Sequence, residues 1–412
     1  HLPSLNPELI LAVRYLFVMK RSLNLFLLPC WFRNISWIGF QASASASPRS
    51  LIFDRMCNLH ENFERRSMLK RLAAIVAALS LSLFGLVACS SDSTTSEADC
   101  GTEKAFCIGL VTDTGKVDDK SFNQSAWEGA QQGAEAVGGF AKYVETLDPK
   151  DYGTNIAQFA DAGYNVIIGV GFLMAEAMAT AAAKYPDIKF IGVDQFQGTA
   201  IPNLTGLVFP EDKAGFLAGY LARNITTSGK TGAVLGTDVV PPVRYFGEGF
   251  RNGVAYAAKE LGKDYPETKL VYHAPDNAFN DPAWGGATAK QMLSQGYDVI
   301  FGAGGNTGNG ALLQIAKTPG AYCIGVDTDQ WGTVPEAQPC LVTSAMKLID
   351  KGVAALIQQA KDGSIAGGNY FGEVGLAPYH DFESKISMEI QDKVTALVPQ
   401  VLDGTVPTGV KL

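Results

Sequence analysis

Two kinds of chemically capable residue occur in pairs in this chain. An Asp closes each copy of the phrase IGVD, at Asp194 and Asp327, and a Phe-Asn pair stands at the start of a helical stretch at Phe122 and again at Phe279. An ionised carboxylate only accepts hydrogen bonds, which suits it to vicinal hydroxyls. Two aromatic rings can hold a flat ring between them, each stacked face being worth about 1–3 kcal/mol. Each pair also has a plainer use. An Asp after a strand commonly caps the next helix, and Phe122, followed by small residues at helical spacing, could simply be core.

Two further features point at a ligand. "FGAGGNTGNGA" at 301–311 nearly matches a dinucleotide fingerprint, but its third glycine falls one residue late. Close backbone approach to a ligand at Gly304 and Gly305 is the simpler reading. Lys347 follows a β-rich run, where a cation would balance the aspartates; a solvated surface lysine is the alternative. No nucleophile-base pair, P-loop or zinc-protease motif occurs. His273 and His380 have no metal-ligand company. The reading is therefore of a binding protein without cofactor or metal.

The elements that must position these residues alternate. Short β-rich runs (106–111, 166–170, 190–193, 232–235, 299–301 and 323–326) are separated by Ala-rich periodic stretches, the pattern of βαβ units and parallel sheets. "GYNVIIGVG" at 163–171 returns as "GYDVIFGAG" at 296–304, and IGVD at 191–194 returns at 324–327, both at an offset of 133 residues. A constant offset in two separate segments implies two lobes of one plan. "FNQSAWEGA" and "FNDPAWGGA" match at a different offset, 157, with Asp281 and Pro282 placed as N-cap and first helical residue. In doubly wound sheets ligands lie beyond the carboxyl ends of the strands, so both aspartates should face one crevice, with Phe122 and Phe279 closing on a flat ligand.

The amino-terminal part reads differently. Residues 1–67 look like a spurious upstream extension. From Met68, a basic start, an apolar run and "LVAC" form a lipoprotein signal at 68–88, with Cys89 the lipidated residue and 89–103 a flexible linker. The chain from Cys89 carries 23 basic against 37 acidic residues, which argues against nucleic-acid binding. Cys100, Cys107, Cys323 and Cys340 remain, an even number in an exported chain; proximity favours pairing the first two and the last two, with free buried thiols as the alternative.

With "TDTGKVDDKSFNQSAWEG", "VGF", "IGVDQ", "FNDPA", "AGGNTGNGA" and "IGVDTDQW" on view, the sequence resembles the basic membrane protein family of lipoproteins, the PnrA-like nucleoside receptors of ABC transporters. The resemblance runs from about residue 104 to the C-terminus. It implies a type I periplasmic-binding-protein fold: two doubly wound α/β lobes joined by three crossovers. The expected division is 104–208 plus about 328–363 for lobe 1, and about 209–327 plus 364–412 for lobe 2. It implies a purine nucleoside ligand, an ABC permease as partner, a lipid anchor on the outer face of the cell membrane and a monomeric state. Carried over by motif, Phe122 and Phe279 stack the base, and Asp113 with Thr114 meets the base edge. Asp194, Asp327, Gly304 or Gly305, and Lys347 surround the ribose. Thr114 departs from the family, which often has Asn there; a hydroxyl cannot copy an amide's paired donor and acceptor. A signalling receptor of the same fold and an exported nucleoside-processing enzyme are the competing functions.

Overall fold

The computed structural model describes residues 96–263 and 268–411. The upstream extension, the signal segment and Cys89 lie outside the described residues. The first sheet is built from β1 (Cys107–Thr112), β2 (Phe140–Val144), β3 (Val166–Val170), β4 (Lys189–Val193) and β5 (Leu204–Val208). The second uses β6 (Thr231–Leu235), β7 (Thr268–Tyr272), β8 (Val299–Ala303), β9 (Tyr322–Asp327) and β10 (Leu341–Lys347). β11 (Gly368–Phe371) adds to β5 and β12 (Val374–Leu376) to β10. The orders β11-β5-β4-β3-β1-β2 and β12-β10-β9-β8-β6-β7 are the same plan twice. All pairings are parallel except β10 with β12. β1, β3, β5, β6 and β8 are buried at every position, as strands covered on both faces must be.

The helices are α1 (Phe122–Ala136), α2 (Tyr152–Asp161), α3 (Ala175–Lys184), α4 (Glu211–Ile225), α5 (Pro241–Glu260), α6 (Pro282–Ser294), α7 (Gly305–Ile315), α8 (Gln330–Thr333), α9 (Ile349–Lys361) and α10 (Met388–Leu402). The chain passes between lobes three times. After β5 it enters α4, which packs on the second sheet. After β10 it enters α9, which packs on α1. Between β11 and β12 it returns.

This path corrects the expected division. β10 lies in the second sheet, so 341–347 belongs to lobe 2 rather than lobe 1; β11, expected in lobe 2, belongs to lobe 1. The expected linker also ends sooner. Glu97–Asp99 form a helical turn, Lys142 pairs with Glu97, and Cys100 is bonded to Cys107 at the start of β1. Cys323 and Cys340 form the second disulfide. The pairing favoured by proximity is the one found.

The tightest packing joins α4 to α5, where glycines let the two backbones meet. A Cβ on Gly219 would stand 1.9 Å from the Phe250 carbonyl oxygen, and one on Gly253 1.9 Å from that of Phe216. A backbone carbonyl in a helix cannot retreat alone, so the helices must part. Gly219→Ala is expected to lower the unfolding free energy by about 1–3 kcal/mol in urea titrations. Gly332→Ala, in α8 with nothing near its Cβ, should leave it unchanged or raise it by about 0.5–1 kcal/mol.

A cleft between the lobes as candidate binding site

In both sheets the strand order reverses direction between the first and third strands, and ligands of doubly wound folds sit outside such points. Asp113 follows β1 and Gly171 follows β3; Gly236 follows β6 and Gly304 follows β8. The loops face one cavity, whose empty space with its open mouth is about 580 Å³. Of the nine expected ligand residues, Asp113, Phe122, Asp194, Phe279, Gly304, Gly305, Asp327 and Lys347 line it; Thr114 does not. The fit is close. A Cβ on Gly171, at φ 118°, would lie 2.1 Å from Asp113 Oδ2, so only glycine leaves that carboxyl its place.

Lys347, at the end of β10, is 2% exposed, which removes the surface alternative. Its ammonium donates to Asp194 Oδ1 at 2.7 Å and Oδ2 at 2.6 Å and to Glu211 Oε1 at 3.0 Å. Three carboxylate oxygens match its three N–H donors. The Phe122, Phe209 and Phe246 rings lie 4.9, 5.1 and 5.8 Å from it. Burial works to lower the Lys347 pKa, but Asp194, Glu211 and Asp327 outweigh it and hold the amine above its ordinary value.

Neither IGVD aspartate caps a helix. Asp329, not Asp327, caps α8 by accepting from Trp331 N–H, and β5 rather than a helix follows Asp194. Both instead adopt left-handed backbone, with φ 62° and 65°. Such conformations cost on the order of 1–3 kcal/mol and concentrate at functional sites. They turn the two carboxyls into the cleft. Asp194 meets Lys347; Asp327 accepts from Ser121 Oγ across the lobes at 2.6 Å.

Phe122 and Phe279 both line the cavity but are not topological equivalents. Phe122 opens α1 after the first strand of its lobe; Phe279 stands before α6, after the second strand of its lobe. The offset of 157 against 133 is therefore a different loop, not a slipped copy. Asp281 and Pro282 do begin α6, with the Asp281 carboxylate accepting from Trp284 N–H. In lobe 2 the topological counterpart of α1 is α5, and its start supplies Pro242, Val243 and Phe246, with Val240 just before it, to the cavity wall. Sequence reasoning missed these, as it missed Phe172, Asp119 and Asn123. The apolar ones carry no motif, while Asn123 had a visible signal in the repeated Phe-Asn pair.

Five carboxyls sit buried around this cleft. Burial pushes Asp113 and Asp119 up to about 7, Glu211 up to about 7 despite Lys347, and Asp327 up to about 6; Asp194 is raised in the same way against the pull of Lys347. Their ordinary values are 3.8 and 4.5. Between those values and the raised ones the folded chain binds more protons than the unfolded chain, so stability present at low pH is lost as pH rises through the folded values. Urea midpoints should accordingly fall between about pH 4 and about pH 7. Asp113→Asn, a mimic of the neutral carboxyl, should remove part of that slope.

Two sheets of one plan, joined by three crossings and facing each other over a cleft, make this a type I periplasmic-binding-protein fold. Residues 108–372 match the family described as ABC transporter substrate-binding protein PnrA-like, and the chain belongs to that family. It is 32% identical over 329 residues to a CD4+ T-cell-stimulating antigen of Listeria monocytogenes, covering 74% of this chain and 88% of that protein. It is 28% identical to the ABC transporter nucleoside-binding protein BmpA of Lactococcus lactis, covering 83% of this chain and all of that protein. Among solved structures it is similar to an ABC transporter solute-binding protein of Aeropyrum pernix K1. That match has a TM-score of 0.66 and 26% identity over 73% of this chain and 92% of that one.

Proposed function

We propose that this chain captures nucleosides, purine ones above all, between its two lobes and delivers them to an ABC permease without chemically changing them. The observation that carries the reading is one cleft lined by an aromatic ring from each lobe, Phe122 and Phe279, together with a strained carboxylate from each, Asp194 and Asp327. The relative named as nucleoside-binding supports it. The rings stack the base, and the carboxylates accept from ribose hydroxyls. Lys347, its donors consumed, orients Asp194 rather than contacting sugar. Gly304 and Gly305 bring backbone close to the ligand.

The test is calorimetric titration of adenosine, guanosine, inosine and their 2′- and 3′-deoxy forms. Phe122→Ala or Phe279→Ala should weaken every nucleoside alike by about 1–3 kcal/mol. Asp327→Ala should cost about 1.5–3 kcal/mol with ribonucleosides and less with the deoxy form lacking its hydroxyl. Equal losses for ribo and deoxy ligands would remove the ribose assignment. Release of free base from inosine would show an enzyme instead.

The same proposal places the chain, as a monomer, on the extracytoplasmic face of the cell membrane, held by lipid on Cys89. Among the described residues no helix is long and apolar enough to cross a membrane, so attachment falls to the apolar segment and Cys before them. Cells expressing the chain from Met68 should incorporate labelled palmitate, and Cys89→Ala should abolish the label. Label that survives the substitution refutes the anchor.

A further inference from the structure

Phe279 reaches the cleft from a loop, residues 274–281, that begins beside one of the two histidines among the described residues. His273 follows β7 and is 9% exposed. Its backbone N–H donates to the carbonyls of Leu235 and Gly236 at 3.1 and 2.8 Å. Gly236 is also the floor under Phe279, since a Cβ there would stand 2.6 Å from the ring's Cε1. The imidazole spans the loop: Nδ1 meets the Ala274 carbonyl at 2.6 Å, and Nε2 meets Asp281 Oδ2 at 3.4 Å. The Trp284 ring packs edge-on against it at 4.5 Å. Asp281 is held in turn by the Trp284 N–H, which donates to its Oδ1 at 2.9 Å, and by its own N–H, which donates to Thr307 Oγ1 at 2.8 Å.

The far half of the loop has other fastenings. Asn277 Nδ2 donates to the Asn280 carbonyl at 3.1 Å, and Asn306 Nδ2 to Asn280 Oδ1 at 3.0 Å. Ala274, Pro275 and Asp276 are exposed, and among the described residues the bond to the His273 ring is the one that ties this near half down. Both partners of the ring only accept, so each nitrogen must donate. A neutral imidazole has one N–H and serves one of them; the imidazolium serves both. Asp281 is the charged group bonded to the ring. Tyr272, one residue back, turns onto α5, where a Cβ on Gly247 would stand 2.5 Å from its hydroxyl, and the charges of Glu248, Arg251, Asp238 and Arg244 act there.

We propose that His273 is a positioning residue for a stacking ring: by bonding Ala274 and Asp281 at the two ends of the loop it holds Phe279 in the cleft, and it holds both ends only when its ring carries two protons. The proposal rests on the nucleoside reading above and deepens it. Affinity for every nucleoside is then greater in mild acid and is lost as pH rises through the range of about 5 to 8 in which histidine changes charge.

Calorimetric titration of guanosine, inosine, adenosine and their deoxy forms into the full chain tests this. At pH 6, His273→Leu should weaken all of them alike by about tenfold. His273→Gln, whose amide N–H can reach Asp281 and does not titrate, should stay within about threefold of wild type. From pH 6 to pH 8 wild type should lose about threefold or more relative to His273→Gln, the cleft carboxyls titrating in both chains and cancelling in the ratio. In a Phe279→Ala chain, His273→Leu should cost nothing further. Amide hydrogen exchange in 274–280 needs no ligand, and it should be faster in His273→Leu and in Asp281→Asn than in wild type at the same pH. The proposal is overturned if His273→Leu binds like wild type, if its loss is as large on Phe279→Ala, if the ratio of wild type to His273→Gln is flat with pH, or if exchange in the loop is unchanged. Asp281→Asn keeps an oxygen for the helix cap, so a misfolded His273→Leu leaves the exchange test standing. Should no nucleoside bind wild type, the nucleoside reading falls, and the exchange test still decides whether His273 holds the loop.

Discussion

A lysine ammonium buried at the floor of the cleft is the interaction on which the rest of the arrangement depends. Removing such a charge from water costs several kcal/mol, and only close carboxylates offset it. Lys347 obtains them from both lobes: Asp194 from the first, Glu211 from the second. All three crossings run past this point. Lys347 precedes the second, Glu211 follows the first, and Val374, the residue paired with Lys347 across β10 and β12, follows the third. The crossings between the lobes and the buried ion pair therefore meet at one place. The left-handed backbone of Asp194 follows from this, because an extended residue there would carry the carboxylate on along the strand instead of toward Lys347.

Further out, the loop of lobe 1 at residues 119–121 makes a group of polar contacts with lobe 2. Asn309 donates to the Asp119 carbonyl at 2.7 Å, Gln330 and Thr333 donate to that of Lys120 at 3.2 and 2.8 Å, and Ser121 donates to Asp327. Lys120 reaches this position with φ 60°. Hydrogen bonds that water can replace are each worth about 0.5–1.5 kcal/mol, so a rim made of them holds the lobes together only weakly. An apolar rim of the same extent would hold the lobes shut.

Much of this was legible in the sequence, for reasons that differ by element. The strands β3, β4, β8 and β9 announce themselves because burial on both faces demands short runs of Val and Ile, and the glycines and aspartates ending them recur at one offset. β11 and β12 did not, being three or four residues long and only partly buried, and so the last crossing was misplaced. Lys347 looked ambiguous because a lone lysine says nothing of its burial; its partners come from residues more than a hundred positions away. Val240, Pro242, Val243 and Phe246 were invisible as a wall because apolar residues at a helix start look alike whether they meet core or cleft.

The two lobes, built on one plan, do not bring equal halves to the cleft. Equivalent loops carry a carboxyl and a Phe-Asn pair in lobe 1 but a Val-Pro-Pro-Val run in lobe 2, where Phe279 arrives instead from the next loop along. Lobe 1 thus contributes Asp113, Asp119, Asn123 and Asp194, while lobe 2 contributes mostly apolar side chains and glycine backbone around Asp327 and Lys347. A symmetric pair of lobes would offer the same groups to both faces and edges of a ligand. A nucleoside has two like faces but unlike edges, one bearing the sugar and one the hydrogen-bonding pattern of the base. On the nucleoside reading proposed above, Phe122 and Phe279 would take the faces, each coming from its own side. The divergence of the remaining loops leaves most of the polar side chains gathered in one lobe, with the strained aspartates as the shared inheritance of both.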